Sequence, residues 1–317
     1  MGKQIYPIIA GPTASGKTAL AIAVAKRLDG EVVSADSMQI YADVAVGTAR
    51  PLEDEMEGIV HHLMGFLPLD DKYSVARYQE DATAAFEDIY SRNKIPVMCG
   101  GTGLYIQSFM ENRQLFEEQP DPELRKKFME IADREGNEVL LEQLRQIDPE
   151  TAQRLHINDR NRIIRALEVY ESTGQTMTQQ VALSHSVPSP YTPCLFVLDF
   201  KNRQNLYDRI NRRVDVMLEN GLLEEAKRVL ATEPDATVTQ AIGYKEFAAY
   251  FDGAISLDEA ADRLRQQTRR YAKRQLSWFR RMPQAHTLWV DEVSGTAELA
   301  EQVISQFKKI MKGETLQ

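Results

Sequence analysis

The chain has 317 residues, 43% of them hydrophobic, so it can bury a sizeable core in one large domain or two modest ones. Its formal net charge of -9 argues against a general nucleic-acid-binding protein. It shows no signal peptide and no run of eighteen apolar residues, so we expect a soluble, cytoplasmic protein without a membrane partner. Cys99 and Cys194 are too few for a disulfide framework and lack zinc-site spacing, so we interpret both as buried strand residues.

Apolar runs rich in β-branched residues alternate with helical patterns along much of the chain. The predicted strands are residues 5–10, 31–34, 95–99, 195–200 and 287–290. The predicted helices are residues 17–28, 74–92, 203–219 and 296–311. This alternation predicts an α/β fold, in which a parallel sheet carries helices on both faces.

The sequence pattern changes between residues 119 and 186, where no strand-like apolar run occurs. Three amphipathic, capped helices are predicted there, with the sequences DPELRKKFMEIADREG, NEVLLEQLRQID and NDRNRIIRALEVYESTG. Pro-rich segments, EEQPDP and SVPSPYTP, flank the region and suit domain boundaries. We therefore predict an inserted all-helical domain at residues 117–190, between the two parts of a core formed by residues 1–116 and 191–317.

The first predicted strand runs into GPTASGKT, which fits the phosphate-loop (P-loop) pattern G-x-x-x-x-G-K-[ST]. In such a loop, backbone N–H groups and the helix dipole face an anion, the lysine adds charge, and the hydroxyl of Thr18 can hold Mg²⁺. The motif alone does not identify the ligand, because a loop that binds two linked phosphates accepts nucleotides and other diphosphate esters alike. The predicted diphosphate-binding residues are Gly11, Pro12, Thr13, Ala14, Ser15, Gly16, Lys17 and Thr18.

Asp36 follows the second predicted strand, in VVSADSMQIY. Parallel strands deliver their carboxyl ends to one edge of a sheet, so Asp36 should face the phosphate loop if the strands are neighbours or nearly so. We interpret it as a candidate general base, with an indirect Mg²⁺ contact or a turn cap as alternatives. The third strand runs into CGGTGLYIQSF, which places Thr102 at the same edge where a helix begins.

Positive charge is concentrated in residues 263–290, which contain eight Lys or Arg and no Asp or Glu. Cations and flat side chains alternate in this segment, a pattern suited to the phosphates and bases of single-stranded RNA. The same segment also fits an amphipathic helix with Leu276, Trp278 and Phe279 in the core. Both interpretations can hold for one helix.

Nine ordered blocks of the sequence resemble bacterial tRNA dimethylallyltransferases. They are GPTASGKT, SADSMQIY, VGTARP, HHLMGF, YSVARY, GGTGLY, NDRNRIIRALEVYESTG, QAIGYKE and KRQLSWFRR, and they extend over nearly the whole chain. The resemblance implies transfer of a prenyl group from dimethylallyl diphosphate to the exocyclic amine of the adenosine 3′ of the anticodon. The loop would then bind a diphosphate leaving group rather than ATP.

The resemblance also implies roles for individual residues. Asp36 would take the amine proton, while Lys17, Thr18 with Mg²⁺, and Arg213 would stabilise the departing diphosphate. Arg209 and Arg213 both fit the family's R-x-x-x-R pattern in the predicted helix at residues 203–219, and we favour Arg213 for this role. The adenosine would have to leave its stacked loop to reach the site. The implied tRNA contacts are Asp36, Ser37, Met38, Gln39, Thr102, Asn161, Arg162, Arg165, Gln240, Gly243, Tyr244, Lys245, Lys273, Arg274, Gln275, Trp278 and Arg280.

Other functions share parts of this pattern. They are a small-molecule P-loop kinase, an adenylate prenyltransferase acting on free nucleotides, and a nucleic-acid-binding module switched by nucleotide. The basic segment and the helical insertion favour a macromolecular acceptor, and we expect a monomer. His61 and His62 have no third ligand in the pattern, so a structural role is favoured over a metal site.

Overall fold

The computed structural model describes residues 3–114, 121–232 and 237–312. Two compact units can be distinguished, one made of the described residues of Met1–Met110 and Pro190–Gln317, the other of those of Glu111–Ser189. The first unit contains a six-stranded parallel sheet, and the second is built from helices. Among the described helices, none is both long and apolar enough to cross a lipid bilayer.

The strands of the sheet run parallel in the spatial order β3-β2-β4-β1-β5-β6. Their bounds are β1 (Gln4–Ala10), β2 (Gly30–Ala35), β3 (His61–His62), β4 (Ile95–Gly100), β5 (Tyr191–Asp199) and β6 (His286–Trp289). The sequence predicted five of the six. It missed β3, because a strand of two histidines has no apolar periodicity.

The helices in chain order are α1 (Lys17–Leu28), α2 (Val75–Ser91), α3 (Gly103–Met110), α4 (Pro122–Glu135), α5 (Asn137–Ile147), α6 (Pro149–Arg154), α7 (Arg160–Thr173), α8 (Met177–Ser184), α9 (Arg203–Glu219), α10 (Leu222–Leu230), α11 (Ala248–Phe251), α12 (Leu257–Phe279) and α13 (Thr296–Met311). Short 3₁₀ turns occupy Thr237–Gln240, Lys245–Phe247 and Val290–Glu292. The basic segment predicted from the sequence therefore begins inside α12 and continues beyond its end.

Hydrophobic layers cover the sheet on both faces, as the α/β pattern predicts. Ile8 belongs to one layer and Ile9 to the other, because successive strand residues point to opposite faces. Phe86 of α2 packs in the layer with Ile8, and Phe307 of α13 packs in the layer with Ile9. The predicted fold class is confirmed.

The described residues of the second unit form five helices where the sequence predicted three. Its core includes Phe128 and Leu144 from the predicted helices. The short helices α6 and α8 were missed, and both are held by Asp148. Its carboxylate accepts hydrogen bonds from the backbone N–H of Thr151 at 3.0 Å and from the hydroxyl of Thr178 at 2.7 Å. One buried cap thus organises two helices too short to be recognised from their periodicity.

A buried ion cluster joins three segments of the first unit around Glu31 of β2. The Glu31 side chain is 2% exposed, and it contacts Arg92 Nη2 at 2.8 Å, Lys94 Nζ at 3.1 Å and His62 Nε2 at 2.8 Å. The guanidinium of Arg92, with smaller contributions from His62 and Lys94, holds the pKa of Glu31 well below its usual range although burial opposes this. His62 therefore has a structural partner.

We expect Glu31→Gln to lower the free energy of unfolding by about 1–3 kcal/mol at pH 7, because it removes charged hydrogen bonds from half-exposed cations. The folded pKa of Glu31 lies below its unfolded value, so this stabilisation is present above about pH 4.3 and is lost as the pH falls further. Urea unfolding of both proteins at pH 7 and at pH 3.5 measures the difference. A gap between them that stays constant over this range would contradict the assignment.

Candidate active site

Three strand ends lie level at one edge of the sheet. Ala10 at the end of β1 and Ala35 at the end of β2 are both in register with Gly100 of β4. The phosphate loop leaves the sheet after Ala10, and Asp36 leaves it after Ala35. Since β4 lies between β1 and β2, these exits are two strand spacings apart, about 10 Å.

The phosphate loop runs directly into the start of α1. Gly16 precedes the helix with φ 91°, a conformation that favours glycine, and Ala14 is also left-handed at φ 63°. The Lys17 ammonium donates to the backbone oxygen of Pro12 at 3.4 Å. Burial lowers the pKa of Lys17, and the charge of Asp36 opposes that effect. Lys17 and Asp36 therefore interact across the strand ends.

Two cavities meet at this edge. The first, of about 410 Å³, is lined by Asp36, Ser37, Thr48 and Tyr271 among others, and the second, of about 620 Å³, is lined by Gly16, Ala19, Arg209 and Arg212 among others. Both cavities are lined by Lys17, Thr18, Ala49 and Arg213. These four residues form the boundary between two compartments.

Arg213 and Arg209 of α9 have different surroundings. Arg213 Nη2 donates to the backbone oxygen of Thr48 at 3.3 Å; burial lowers its pKa, and Asp36 opposes that effect. Arg209 is exposed, and its Nε donates to the backbone oxygen of Ala14 at 2.8 Å. Arg213 thus lines both cavities, whereas Arg209 lines only the second and contacts the loop at Ala14.

Asp36 begins a tight turn. Its Oδ1 accepts from the backbone N–H of Met38 at 3.0 Å and of Gln39 at 3.4 Å. Within the described residues Oδ2 accepts no hydrogen bond, and Asp36 lines the first cavity. The turn-cap alternative is therefore present in the structure, and it occupies only one carboxylate oxygen.

Gln275 of α12 ties the phosphate loop to the loop after β4. Its Oε1 accepts from the backbone N–H of Thr13 at 2.9 Å, and its Nε2 donates to the backbone oxygen of Gly101 at 2.9 Å. The residue is only 5% exposed. A Cβ on Gly101 would lie 2.2 Å from that Nε2, so any larger residue there would force the Gln275 amide to move. Gln275 was predicted to contact tRNA, but these bonds give it a role within the protein.

The first cavity brings together about half of the residues predicted to contact tRNA. Lysine, arginine and amide side chains from distant segments meet there with the turn after β2. The residues in its lining are Asp36, Ser37, Met38, Gln39, Gln240, Gly243, Lys245, Arg274 and Gln275.

Several other predicted contacts lie outside both cavity linings. Thr102 Oγ1 accepts from the backbone N–H of Ser37 at 3.0 Å, and Arg280 Nη2 donates to Asp199 Oδ2 at 2.8 Å. Trp278 packs on Gly103, where a Cβ would lie 2.5 Å from the indole ring. Lys273 is exposed on α12. In the second unit, α7 carries Asn161, Arg162 and Arg165, the first two of which are exposed.

Tyr244, another predicted tRNA contact, has a buried side chain in this structure. Its ring is 0% exposed, and its hydroxyl donates to Glu225 Oε1 at 2.9 Å. A Cβ on Gly47 would lie 2.7 Å from this ring, so the two segments are in close contact. The flanking Gly243 and Lys245 line the cavity, while the tyrosine between them points into the core.

Sequence reasoning assigned no role to Thr48 and Tyr271, which line the first cavity. Burial raises the pKa of the Tyr271 hydroxyl, and the nearby Asp36 raises it further. Thr48 belongs to VGTARP, a block that carried the family resemblance without an assigned role. Tyr271 lies in the basic segment between Arg269-Arg270 and Lys273-Arg274. An aromatic residue flanked by cations was the sequence signal that could have identified it.

Family models identify the chain directly. The model described as IPP transferase matches residues 39–282, and that described as isopentenyl transferase matches residues 3–71. The chain belongs to the IPP transferase family. The tRNA dimethylallyltransferase of Thermoanaerobacter sp. (strain X514) is 44% identical over 300 residues, 94% of this chain and 95% of the relative. The corresponding protein of Exiguobacterium sp. is 46% identical over 301 residues, with 95% and 94% covered.

Solved structures of IPP transferases are similar over nearly the full chain. The tRNA isopentenylpyrophosphate transferase of Bacillus halodurans is 37% identical with a TM-score of 0.70, and 98% of both chains is covered. A eukaryotic dimethylallyltransferase acting on tRNA is 28% identical with a TM-score of 0.81, covering 99% of this chain and 81% of the other. The resemblance of the nine sequence blocks to this family is thereby confirmed.

The bridge formed by Gln275 generates a prediction for this family member. Gln275→Met keeps the length of the side chain but leaves the N–H of Thr13 without its acceptor, so we expect inorganic diphosphate to bind about 10-fold more weakly. Calorimetric titration measures the affinity. Ser277→Ala is the control, because its exposed hydroxyl bonds only within α12 to the Lys273 carbonyl. Equal affinities for all three proteins would contradict a role for Gln275 in shaping the loop.

Proposed function

We propose that this chain transfers the dimethylallyl group from dimethylallyl diphosphate to the exocyclic amine of the adenosine 3′ of the anticodon in tRNA, releasing diphosphate. The observation that carries the proposal is the boundary formed by Lys17, Thr18 and Arg213 between two cavities, with Asp36 on one side of it. Such a boundary suits a reaction in which two different substrates meet. Membership of the IPP transferase family supports the same chemistry.

The diphosphate would lie against the phosphate loop, residues 11–18. Backbone N–H groups and the start of α1 provide the positive end of a helix dipole. As the bond between the prenyl carbon and the diphosphate oxygen breaks, negative charge gathers on the leaving group. Lys17 and Arg213, both half-buried, lie where they can stabilise that charge.

Asp36 would act on the nucleophile. The exocyclic nitrogen forms a bond to the prenyl carbon and must lose one proton, which Oδ2 of Asp36 accepts. Diphosphate leaves with the electron pair of the broken C–O bond, so charge and atoms balance. The hydrogen bonds to Oδ1 from Met38 and Gln39 would hold the carboxylate in one orientation for this step.

The residues of the loop also fit Mg²⁺. This ion is commonly held by one or two protein groups together with substrate phosphates and water, rather than by a carboxylate cage. Among the described residues no cluster of three His, Cys, Asp or Glu could hold a metal, whereas Thr18 presents a hydroxyl at the cavity boundary. Thr18 would hold the ion, and the ion would neutralise charge on the diphosphate.

Transfer RNA would reach the first cavity with its target adenosine turned out of the stack. Ser37, Met38, Gln240 and Lys245 line that cavity, and Arg274 stacks on Tyr271 with its guanidinium 5.6 Å from the ring centroid. Cations beside flat side chains suit the phosphates and bases of single-stranded RNA. Further contacts are assigned to Thr102, Lys273, Trp278 and Arg280 and, in the second unit, to Asn161, Arg162 and Arg165. The protein would act as a monomer in the cytoplasm, where its substrate tRNA is found.

The role of Asp36 can be tested by Asp36→Asn, which keeps the size of the side chain but removes its basicity. We expect kcat for prenyl transfer to fall by roughly two to four orders of magnitude, while tRNA affinity changes little. Single-turnover assays and filter binding measure the two quantities. Asp43→Asn on the exposed part of the following loop is the matched control, and it should retain normal turnover. Near-normal kcat in Asp36→Asn would remove the residue from the base role.

The acceptor separates the proposed function from its alternatives. We expect kcat/KM with an anticodon stem-loop to exceed that with AMP by at least about 100-fold, because AMP lacks the contacts that position the amine. Labelled dimethylallyl diphosphate reports transfer to each acceptor. Comparable values would favour an adenylate prenyltransferase, and ATP hydrolysis without prenyl transfer would favour the kinase or the nucleotide switch.

A further inference from the structure

Residues 44–49, here called the 44–49 loop, form part of the wall of the first cavity. Gly47, Thr48 and Ala49 line it, and Ala49 also lines the second cavity. The backbone oxygen of Thr48 accepts from Arg213 Nη2 at 3.3 Å and from Gln39 Nε2 at 3.2 Å. This one carbonyl therefore contacts both the arginine at the cavity boundary and the segment that follows Asp36.

Glu225 of α10, which lines neither cavity, binds the backbone of this loop. Its Oε2 accepts from the backbone N–H of Ala45 at 2.8 Å and of Val46 at 3.0 Å, and its Oε1 accepts from that of Gly47 at 2.7 Å. Three successive N–H groups converging on one carboxylate form an anion-binding nest. The residue is 4% exposed, so a side chain of the protein itself fills the nest.

The same carboxylate reaches a second wall of the cavity through Tyr244, whose hydroxyl donates to Oε1 at 2.9 Å. Gly243 and Lys245, on either side of Tyr244, line the first cavity. The Gly243 N–H is in turn held by Glu246 Oε2 at 2.9 Å. Glu225 thus fixes two wall segments that are almost 200 positions apart in the sequence.

We propose that Glu225 is a positioning residue for prenyl transfer, which acts through the 44–49 loop to hold Arg213 in place at the boundary between the two cavities. The inference rests on the function proposed above. Glu225 itself lines neither cavity, so its effect must pass through the backbone of the loop. Arg213 has four rotatable carbon–carbon or carbon–nitrogen torsions, and the Thr48 carbonyl restricts where its guanidinium points.

Replacing the Glu225 carboxylate should therefore lower the rate of prenyl transfer, and not only the stability of the fold. Glu225→Gln presents an amide N–H₂ to a nest of N–H donors, so the loop must shift to avoid opposed donors. A displacement of about 1 Å at a reacting group can reduce the rate about 100-fold. Tyr244→Phe removes only one of the four hydrogen bonds and keeps the ring on Gly47, so it should have a smaller effect of the same kind.

The test is a double-mutant cycle in prenyl transfer to a tRNA stem-loop, with single-turnover rate constants for the unaltered chain, Glu225→Gln, Arg213→Ala and the double variant. We expect Glu225→Gln to slow transfer about 10- to 100-fold and Tyr244→Phe about 3- to 10-fold. In the Arg213→Ala background, Glu225→Gln should slow transfer by less than about 3-fold, because the residue it positions is absent.

Glu31→Gln is the matched control, since it removes a second buried carboxylate of the same unit that lines neither cavity. It should lower the melting temperature without changing the rate constant at 25 °C. Equal slowing by Glu225→Gln in both backgrounds, or no slowing, would overturn the positioning role. If Glu225→Gln does not fold, Tyr244→Phe carries the same cycle. An unaltered chain that transfers no prenyl group would instead refute the proposed function itself.

Discussion

The register of three parallel strands around Gly100 is the constraint on which the rest of the site depends. Because Ala10 and Ala35 pair with the same residue, the phosphate loop and Asp36 emerge at equal height from the sheet. A shift of one residue in either pairing would reverse the faces of the strand and move one group along the edge. The side chains added above this edge, from α9 and α12, refine an arrangement that the backbone of the sheet has already set.

Much of this arrangement could be predicted from the sequence, because it depends on local patterns. The P-loop motif lies between a strand and a helix, and Asp36 follows an apolar run, so their common edge follows from the parallel topology. What could not be predicted depends on contacts between distant segments. Tyr244 is buried because Glu225 accepts its hydroxyl, and Gln275 faces Thr13 rather than solvent. No local sequence pattern predicts either contact.

Ion pairs with other elements partly neutralise the basic segment at residues 263–290. Its residues have no acidic neighbours in sequence between positions 263 and 290, yet several meet carboxylates supplied by other elements. Arg265 pairs with Asp215 of α9, and Arg280 pairs with Asp199 at the end of β5. The positive charge presented by α12 is therefore smaller than a count of its residues indicates, although Arg263, Arg270, Lys273 and Arg274 are exposed cations on it.

The glycines at the end of β4 and just after it limit how this site can vary. A Cβ at Gly100 would lie 2.1 Å from the Ala35 carbonyl oxygen, and side chains at Gly101 and Gly103 would collide with Gln275 and Trp278. An added methyl group at any of these three positions would therefore displace a neighbour: the Ala35 carbonyl, the Gln275 amide or the Trp278 ring. Altered specificity, whether reached by natural divergence or by directed evolution, is therefore more accessible through side chains that line the first cavity, such as Met38 and Gln240, than through these glycines.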